Sequence, residues 1–198
     1  NIITATLATG NAASFSAMTD DRSNNVITVN INGTGDVAAT VLSAIGGKTS
    51  GTVTLTTVIN ITGVQSAVTT ALIGASSVAV GAAVTVGISD AAGVTLTALN
   101  LSNIGGLTSG TVTVASAVII TGSTAQLNTA LIGAASVVAA TARLTSNDTN
   151  MTAAQLAVLD DLTTNIITVT LATGNIASFG AMTDDRGNNV ITVTVNNT

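Results

Sequence analysis

The sequence predicts an α/β solenoid: stacked coils of about 27 residues, with a parallel β-sheet on one wall and short helices on the other. Three observations predict it. First, NIITATLATGNAASFSAMTDDRSNNVITVNINGT at residues 1–34 returns at 165–198 as NIITVTLATGNIASFGAMTDDRGNNVITVTVNNT, differing at seven of 34 positions. Second, IGGKTSGTVTL (Ile45–Leu55) and TALIGASSV (Thr70–Val78) return as IGGLTSGTVTV (Ile104–Val114) and TALIGAASV (Thr129–Val137), both offset by 59. Third, helix-period and strand-period stretches alternate with short links, the pattern of parallel strands. An all-β parallel β-helix is the alternative.

Cutting after Gly10, Gly35, Gly63, Gly93, Gly122, Asn150 and Gly174 divides the 164-residue period into six coils. Residues 1–198 therefore read as a single continuous array, 1–164 as one superrepeat and 165–198 as the start of the next. The first helix falls in DVAATVLSAIGG, where Val37, Val41, Leu42 and Ile45 share a face, with Asp36 as its expected cap and Gly46 as its end. Ser123 with Gln126, and Thr152 with Gln155, match the Ser/Thr-x-x-Gln capping box. Leu127, Leu131, Leu156 and Leu159 follow as a buried stripe.

The strands follow from alternation. Ile167, Val169 and Leu171 oppose Thr168 and Thr170, and Ile191, Val193 and Val195 oppose Thr192 and Thr194. GTVTL and GTVTV read likewise. Ser77–Ser89 and Thr111–Thr121 are longer β-like runs that add a second strand to their coils. In the duplicated phrase, Phe15, Phe179 and the adjacent methionines fill a wider part of the core. Asp-Asp-Arg-x-Asn-Asn is the turn into the next strand.

Composition agrees with a narrow core. The chain is 46% hydrophobic but 1% aromatic, with no Pro, Cys, His, Trp or Tyr. Its net charge is −5, and Arg22, Lys48, Arg143 and Arg186 are all its cations, so the basic stripe of a nucleic-acid surface is missing. Polar residues interrupt every apolar run, so no segment reads as membrane-inserted. No secretory leader is legible, and the chain opens mid-pattern, as an excerpt or mature fragment does. Scarce Lys and abundant Thr, Asn and Gly favour a cell-surface over a cytosolic setting.

Catalytic chemistry finds few candidates. Without His or Cys there is no Ser-His-Asp triad, thiol nucleophile or ordinary zinc site. Without Glu, a carboxylate pair would need two aspartates, and the neighbours Asp160 and Asp161 read as a solvated turn. IGGKTSG lacks the spacing of a phosphate loop, and its sister replaces Lys48 with Leu107. Asp20, Asp21, Asp184 and Asp185, with Asn24, Asn25, Asn188 and Asn189, cluster the oxygen ligands that calcium needs. Arg22 and Arg186 lie inside those clusters and favour Asp–Arg pairing instead. Thr-x-Thr recurs at Thr4/Thr6, Thr52/Thr54, Thr111/Thr113, Thr168/Thr170 and Thr192/Thr194. Stacked about 4.8 Å apart, such pairs would form a hydroxyl-and-methyl lattice suited to ice or glycan. They equally suit a solvated strand face.

Met151–Gly174 (MTAAQLAVLDDLTTNIITVTLATG) and Ser123–Val138 (STAQLNTALIGAASVV) resemble repeats of very long surface and secreted proteins of cyanobacteria and proteobacteria. The resemblance implies an extracellular, repetitive, structural or adhesive role. The G-G-x-G-x-D calcium repeats that accompany such relatives are absent here, so calcium rolls do not carry over, and the leucine-rich L-x-x-L-x-L pattern is absent too. The expectation is a non-enzymatic structural protein: a repeat segment of an extracellular filament or long surface fibre, partnered by itself head to tail. The alternatives are an adhesin shaft or binding module for glycan or ice, or a viral tail fibre.

Overall fold

The computed structural model describes residues 2–19, 25–57, 59–74, 78–81, 83–133, 137–180, 182 and 189–196. In chain order the first elements are β1 (Ile3–Thr6), α1 (Ala12–Phe15), β2 (Asn25–Ile31), β3 (Gly35–Ala38), α2 (Ala39–Gly47), β4 (Val53–Leu55), β5 (Ile59–Gly63), α3 (Gln65–Leu72), β6 (Val78–Ala79) and β7 (Thr85–Ile88). There follow β8 (Thr95–Thr97), α4 (Ala98–Gly105), β9 (Val112–Val114), β10 (Ile119–Gly122), α5 (Thr124–Leu131), β11 (Val137–Val138), β12 (Arg143–Ser146), α6 (Ala153–Asp160), β13 (Ile167–Thr170), α7 (Ile176–Phe179) and β14 (Val190–Thr192). The fold is α/β: three parallel sheets, with short helices between their strands.

The chain forms two compact units, Asn1–Ser89 with Asn103–Thr113, and Asp90–Ser102 with Val114–Thr198. The first holds the sheet ordered β1-β2-β4-β6 and the run β3-β5-β7 of another. The second holds the sheet ordered β8-β10-β12-β13-β14.

The strand ladders of the described residues are parallel, and each skips a nearly constant length of chain. Ile3 lies beside Asn25, Val29 beside Val53 and Val53 beside Val78. Gly35 lies beside Ile59, and Asn60 beside Thr85. In the second unit the same column reads Thr95, Ile119 and Arg143, and then Leu144 beside Ile167 and Thr168 beside Val190. The interval is 22 to 25 residues, shorter than the 27 expected from the sequence. The strands are also shared among three sheets rather than gathered on one wall. The second difference has a local cause. Most coils carry two short strands divided by a polar turn, as in β2–Asn32-Gly33-Thr34–β3, and the two strands of a pair join different sheets.

The alternation read from the sequence sets which side chains enter the core. Val53, Leu55, Val112, Val114, Ile167, Val169 and Leu171 are buried, while Thr52 and Thr168 between or beside them are exposed. Leu42 and Ile45 of α2 close over the first unit, and Leu127, Leu131, Leu156 and Leu159 over the second. Burying each such side chain stabilises by roughly 1.5–3 kcal/mol. Phe15 is buried as expected, whereas Phe179 is only half-buried. Val193 and Val195, just after β14, are exposed.

Both capping boxes form, with Ser123 and Thr152 accepting from the backbone of Gln126 and Gln155. Asp36 does not cap α2. It lies in β3, and α2 begins after Ala38 without a side-chain cap. Cross-strand pairing of Asp36 with Asn60 keeps that backbone extended.

Candidate functional site

The polar side chains that the structure brings together join one strand to the next. Thr49, Thr108 and Thr163 each follow the end of a helix, α2, α4 and α6, and each is buried, Thr49 to 1% exposure. The Thr49 hydroxyl donates to the Ile27 carbonyl at 2.7 Å and accepts from the Ile27 and Gly51 amides, both at 2.9 Å. Thr108 donates to the Val84 carbonyl and accepts from the Gly110 amide at 3.0 Å. Thr163 donates to the Ala142 carbonyl at 2.5 Å and accepts from the Asn165 amide at 3.1 Å. Each hydroxyl thus clips its own turn to backbone one interval earlier, using both its donor and its acceptor capacity.

The glycines of the same motif make the approach possible. A Cβ on Gly51 would stand 2.3 Å from the Ile27 carbonyl oxygen, and one on Gly110 would stand 2.2 Å from that of Val84. Only a residue without a side chain fits there. The third clip has no glycine at this place. Asn165 occupies the place and adds an amide bond to the Thr141 carbonyl at 3.1 Å.

Two further ties run between intervals. Asn60 donates to the Asp36 carboxylate at 2.9 Å and accepts from the Thr85 hydroxyl at 3.1 Å, so a polar ladder crosses β3, β5 and β7 in register. Asp148, in the loop after β12, accepts from the Thr124 hydroxyl at 2.6 Å, the Thr124 amide at 3.0 Å, the Ser146 hydroxyl at 3.1 Å and the Asn150 amide at 3.3 Å. The Thr124 hydroxyl is the main reason its carboxyl titrates below the usual aspartate value. Desolvation opposes the shift, and the Thr124 amide, Asn150 amide and Ser146 hydroxyl reinforce it.

The candidate calcium ligands Asp20, Asp21, Asp184 and Asp185, and the cations Arg22 and Arg186, lie outside the described residues. Among the described residues no three His, Cys, Asp or Glu side chains gather as a metal site. Asp160 and Asp161 do not form a catalytic pair: Asp160 accepts from the Asn189 side chain at 2.8 Å, and Asp161 caps the end of α6. Lys48 of IGGKTSG donates to the Ser16 carbonyl at 2.6 Å.

The Thr-x-Thr pairs do not share one face. Thr4/Thr6 and Thr54 belong to the first sheet, Thr113 lies in β9 of another, and Thr168/Thr170 belong to the sheet of the second unit. That last sheet carries a row the sequence reading missed: Thr97, Thr121, Thr145 and Thr168 are successive neighbours on β8, β10, β12 and β13. The clips were also missed, although their signal was present. Between the two echoes Lys48 becomes Leu107, while Thr-Ser-Gly is retained.

No helix among the described residues is long and apolar enough to cross a membrane. Comparison with known proteins found no matching family model, no matching curated protein and no matching solved structure.

Proposed function

We propose that this chain is a structural protein: a repeat segment of an extracellular filament or long cell-surface fibre, built as a solenoid whose coils stack end to end. The observation that carries this reading is the register. Parallel strands return every 22 to 25 residues, in both units and in three sheets. Each coil adds its strands to the ladders of the last, so length grows with repeat number and load passes along backbone hydrogen bonds and threonine clips. At that interval the 164-residue superrepeat holds about seven coils rather than six, an axial advance of about 34 Å at about 4.8 Å per coil.

The role is non-catalytic, and the partner is the protein itself, head to tail. The extracellular setting rests on composition and on the resemblance to bacterial surface repeats. Electron microscopy of the full chain, with antibody labelling of intact source cells, tests both parts. Thin rods and surface label support the proposal. Discrete compact particles confined to the cell interior contradict it.

The Thr97-Thr121-Thr145-Thr168 row favours a second reading, a binding face for glycan or ice on an adhesin shaft. Glycan-array binding or thermal hysteresis that is lost on Thr121→Val and Thr145→Val supports it, and no binding by the intact chain removes it.

A further inference from the structure

We propose that Asn32 and Asn147 carry N-linked glycans, one at an equivalent corner of each compact unit. This rests on the extracellular reading, because the acceptor motif serves exported chains.

That motif is Asn-x-Ser/Thr with x other than Pro. The sugar joins the asparagine amide, and the hydroxyl two residues on is what the transferase reads. The sequence holds six copies, at Asn32, Asn60, Asn100, Asn147, Asn150 and Asn196. The fold sorts them. Asn60 lies in β5, where its amide donates to Asp36 at 2.9 Å and its oxygen accepts from Thr85 at 3.1 Å, so a glycan there would break the polar ladder. Asn100 and Ser102 lie in α4, and residues two apart on a helix do not face each other. The motif of Asn150 ends in Thr152, whose hydroxyl is committed to the capping box of α6. It accepts from the Gln155 amide at 3.2 Å and donates to the Gln155 side chain at 3.1 Å. The motif of Asn196 ends at Thr198, outside the described residues.

Two copies are left. Asn32, Thr34, Asn147 and Thr149 are all exposed. Among the described residues none of these four side chains makes a hydrogen bond, so both amides and both hydroxyls are available. The backbone presents the two asparagines alike. The Asn32 amide donates to the Gly10 carbonyl at 2.8 Å, and the Asn147 amide to the Gly122 carbonyl at 3.0 Å. Each acceptor is thus pinned to the preceding interval at the end of a strand, β2 or β12, while its side chain is left in solvent on a turn. The middle residues suit this role. A Cβ on Gly33 would meet nothing within 4 Å, and a hollow of about 210 Å³ opens beside Asn32, Gly33 and Thr34. Asp148 is held by Thr124 and Ser146, which fixes the second turn without using its asparagine or its threonine.

In the transfer, the asparagine Nδ2 attacks the anomeric carbon of an oligosaccharide carried on a lipid diphosphate. The N–C1 bond forms and the bond from C1 to the diphosphate oxygen breaks. The lipid diphosphate leaves with that electron pair, and Nδ2 gives up one proton to a base of the transferase. The product is a bulky, solubilising chain over a polar turn, away from the core.

Peptide mass spectrometry of the full chain isolated from its source cells tests the assignment. Trypsin cuts the denatured chain after Arg22, Lys48, Arg143 and Arg186. Asn32 then lies in peptide 23–48, Asn60 and Asn100 in 49–143, and Asn147 with Asn150 in 144–186. Fragmentation that keeps sugar on the peptide should place it on Asn32 and Asn147 and leave 49–143 bare. In full chains made in the same cells, Thr34→Ala should strip the sugar from 23–48 alone, and Thr149→Ala from 144–186 alone. Bare Asn32 and Asn147 in chains that antibody labels on intact cells overturn the proposal and leave the extracellular reading standing. Bare asparagines in chains confined to the cell interior overturn both. Sugar on Asn60 or Asn100, or on Asn150 in place of Asn147, overturns the assignment of sites by the fold.

Discussion

Thr49→Val removes one hydroxyl and nearly nothing else. The side chain keeps its shape and its place at 1% exposure. Three hydrogen bonds go: one donated to the Ile27 carbonyl and two accepted, from the Ile27 and Gly51 amides. At about 1 kcal/mol net for each bond, the loss is roughly 3 kcal/mol, and more if the buried groups find no water. Thr49→Ser restores the hydroxyl and should recover most of that loss. Thr52→Val, a few residues on but exposed, should change stability by less than about 0.5 kcal/mol. Urea unfolding of the three variants, with hydrogen exchange at the Ile27 and Gly51 amides, reads the effect directly. If Thr49→Val is as stable as Thr52→Val and both amides stay protected, the threonine clip does not hold successive intervals together.

Gly110→Ala places a Cβ where the Val84 carbonyl oxygen would be 2.2 Å away, so the backbone must part. Unfolding should show a loss of about 2–4 kcal/mol, and a neutral result would mean that the strands are not so closely apposed. Ser123→Ala breaks one capping box and should cost about 1 kcal/mol, read as a lowered denaturation midpoint. The Asp148 carboxyl has its pKa lowered by folding, so its stabilisation is present above the unfolded value of 3.8 and is lost as pH falls through the lower folded value. Wild type should exceed Asp148→Asn in stability at neutral pH, and the gap should close on acidification below about pH 4. A gap that widens in acid would contradict the assigned hydrogen bonds.

Much of the fold was legible because its signals are local. Both capping boxes, the leucine stripes of α5 and α6, and the alternation at Ile167, Val169 and Leu171 rest on neighbours within one turn or one strand. What escaped depended on residues one interval away. Asp36 reads as a helix cap by itself, yet Asn60 across the sheet holds it in a strand. Thr49 and Thr108 look like ordinary turn residues until the carbonyls of Ile27 and Val84 are placed opposite them. Strands pair every 22 to 25 residues, an interval set by partners across the sheet, while the glycines that punctuate the sequence fall less regularly. The aspartates considered for calcium belong to segments outside the described residues.

The proposed fibre requires that successive intervals stack as coils along one axis. Diffraction from oriented filaments of the natural material tests it most directly. Stacked coils give a reflection near 4.8 Å along the fibre axis, with an axial superrepeat near 34 Å from seven coils of the 164-residue period. A 4.8 Å spacing lying across the axis, or no axial order at all, would contradict the stacking and the structural role built on it.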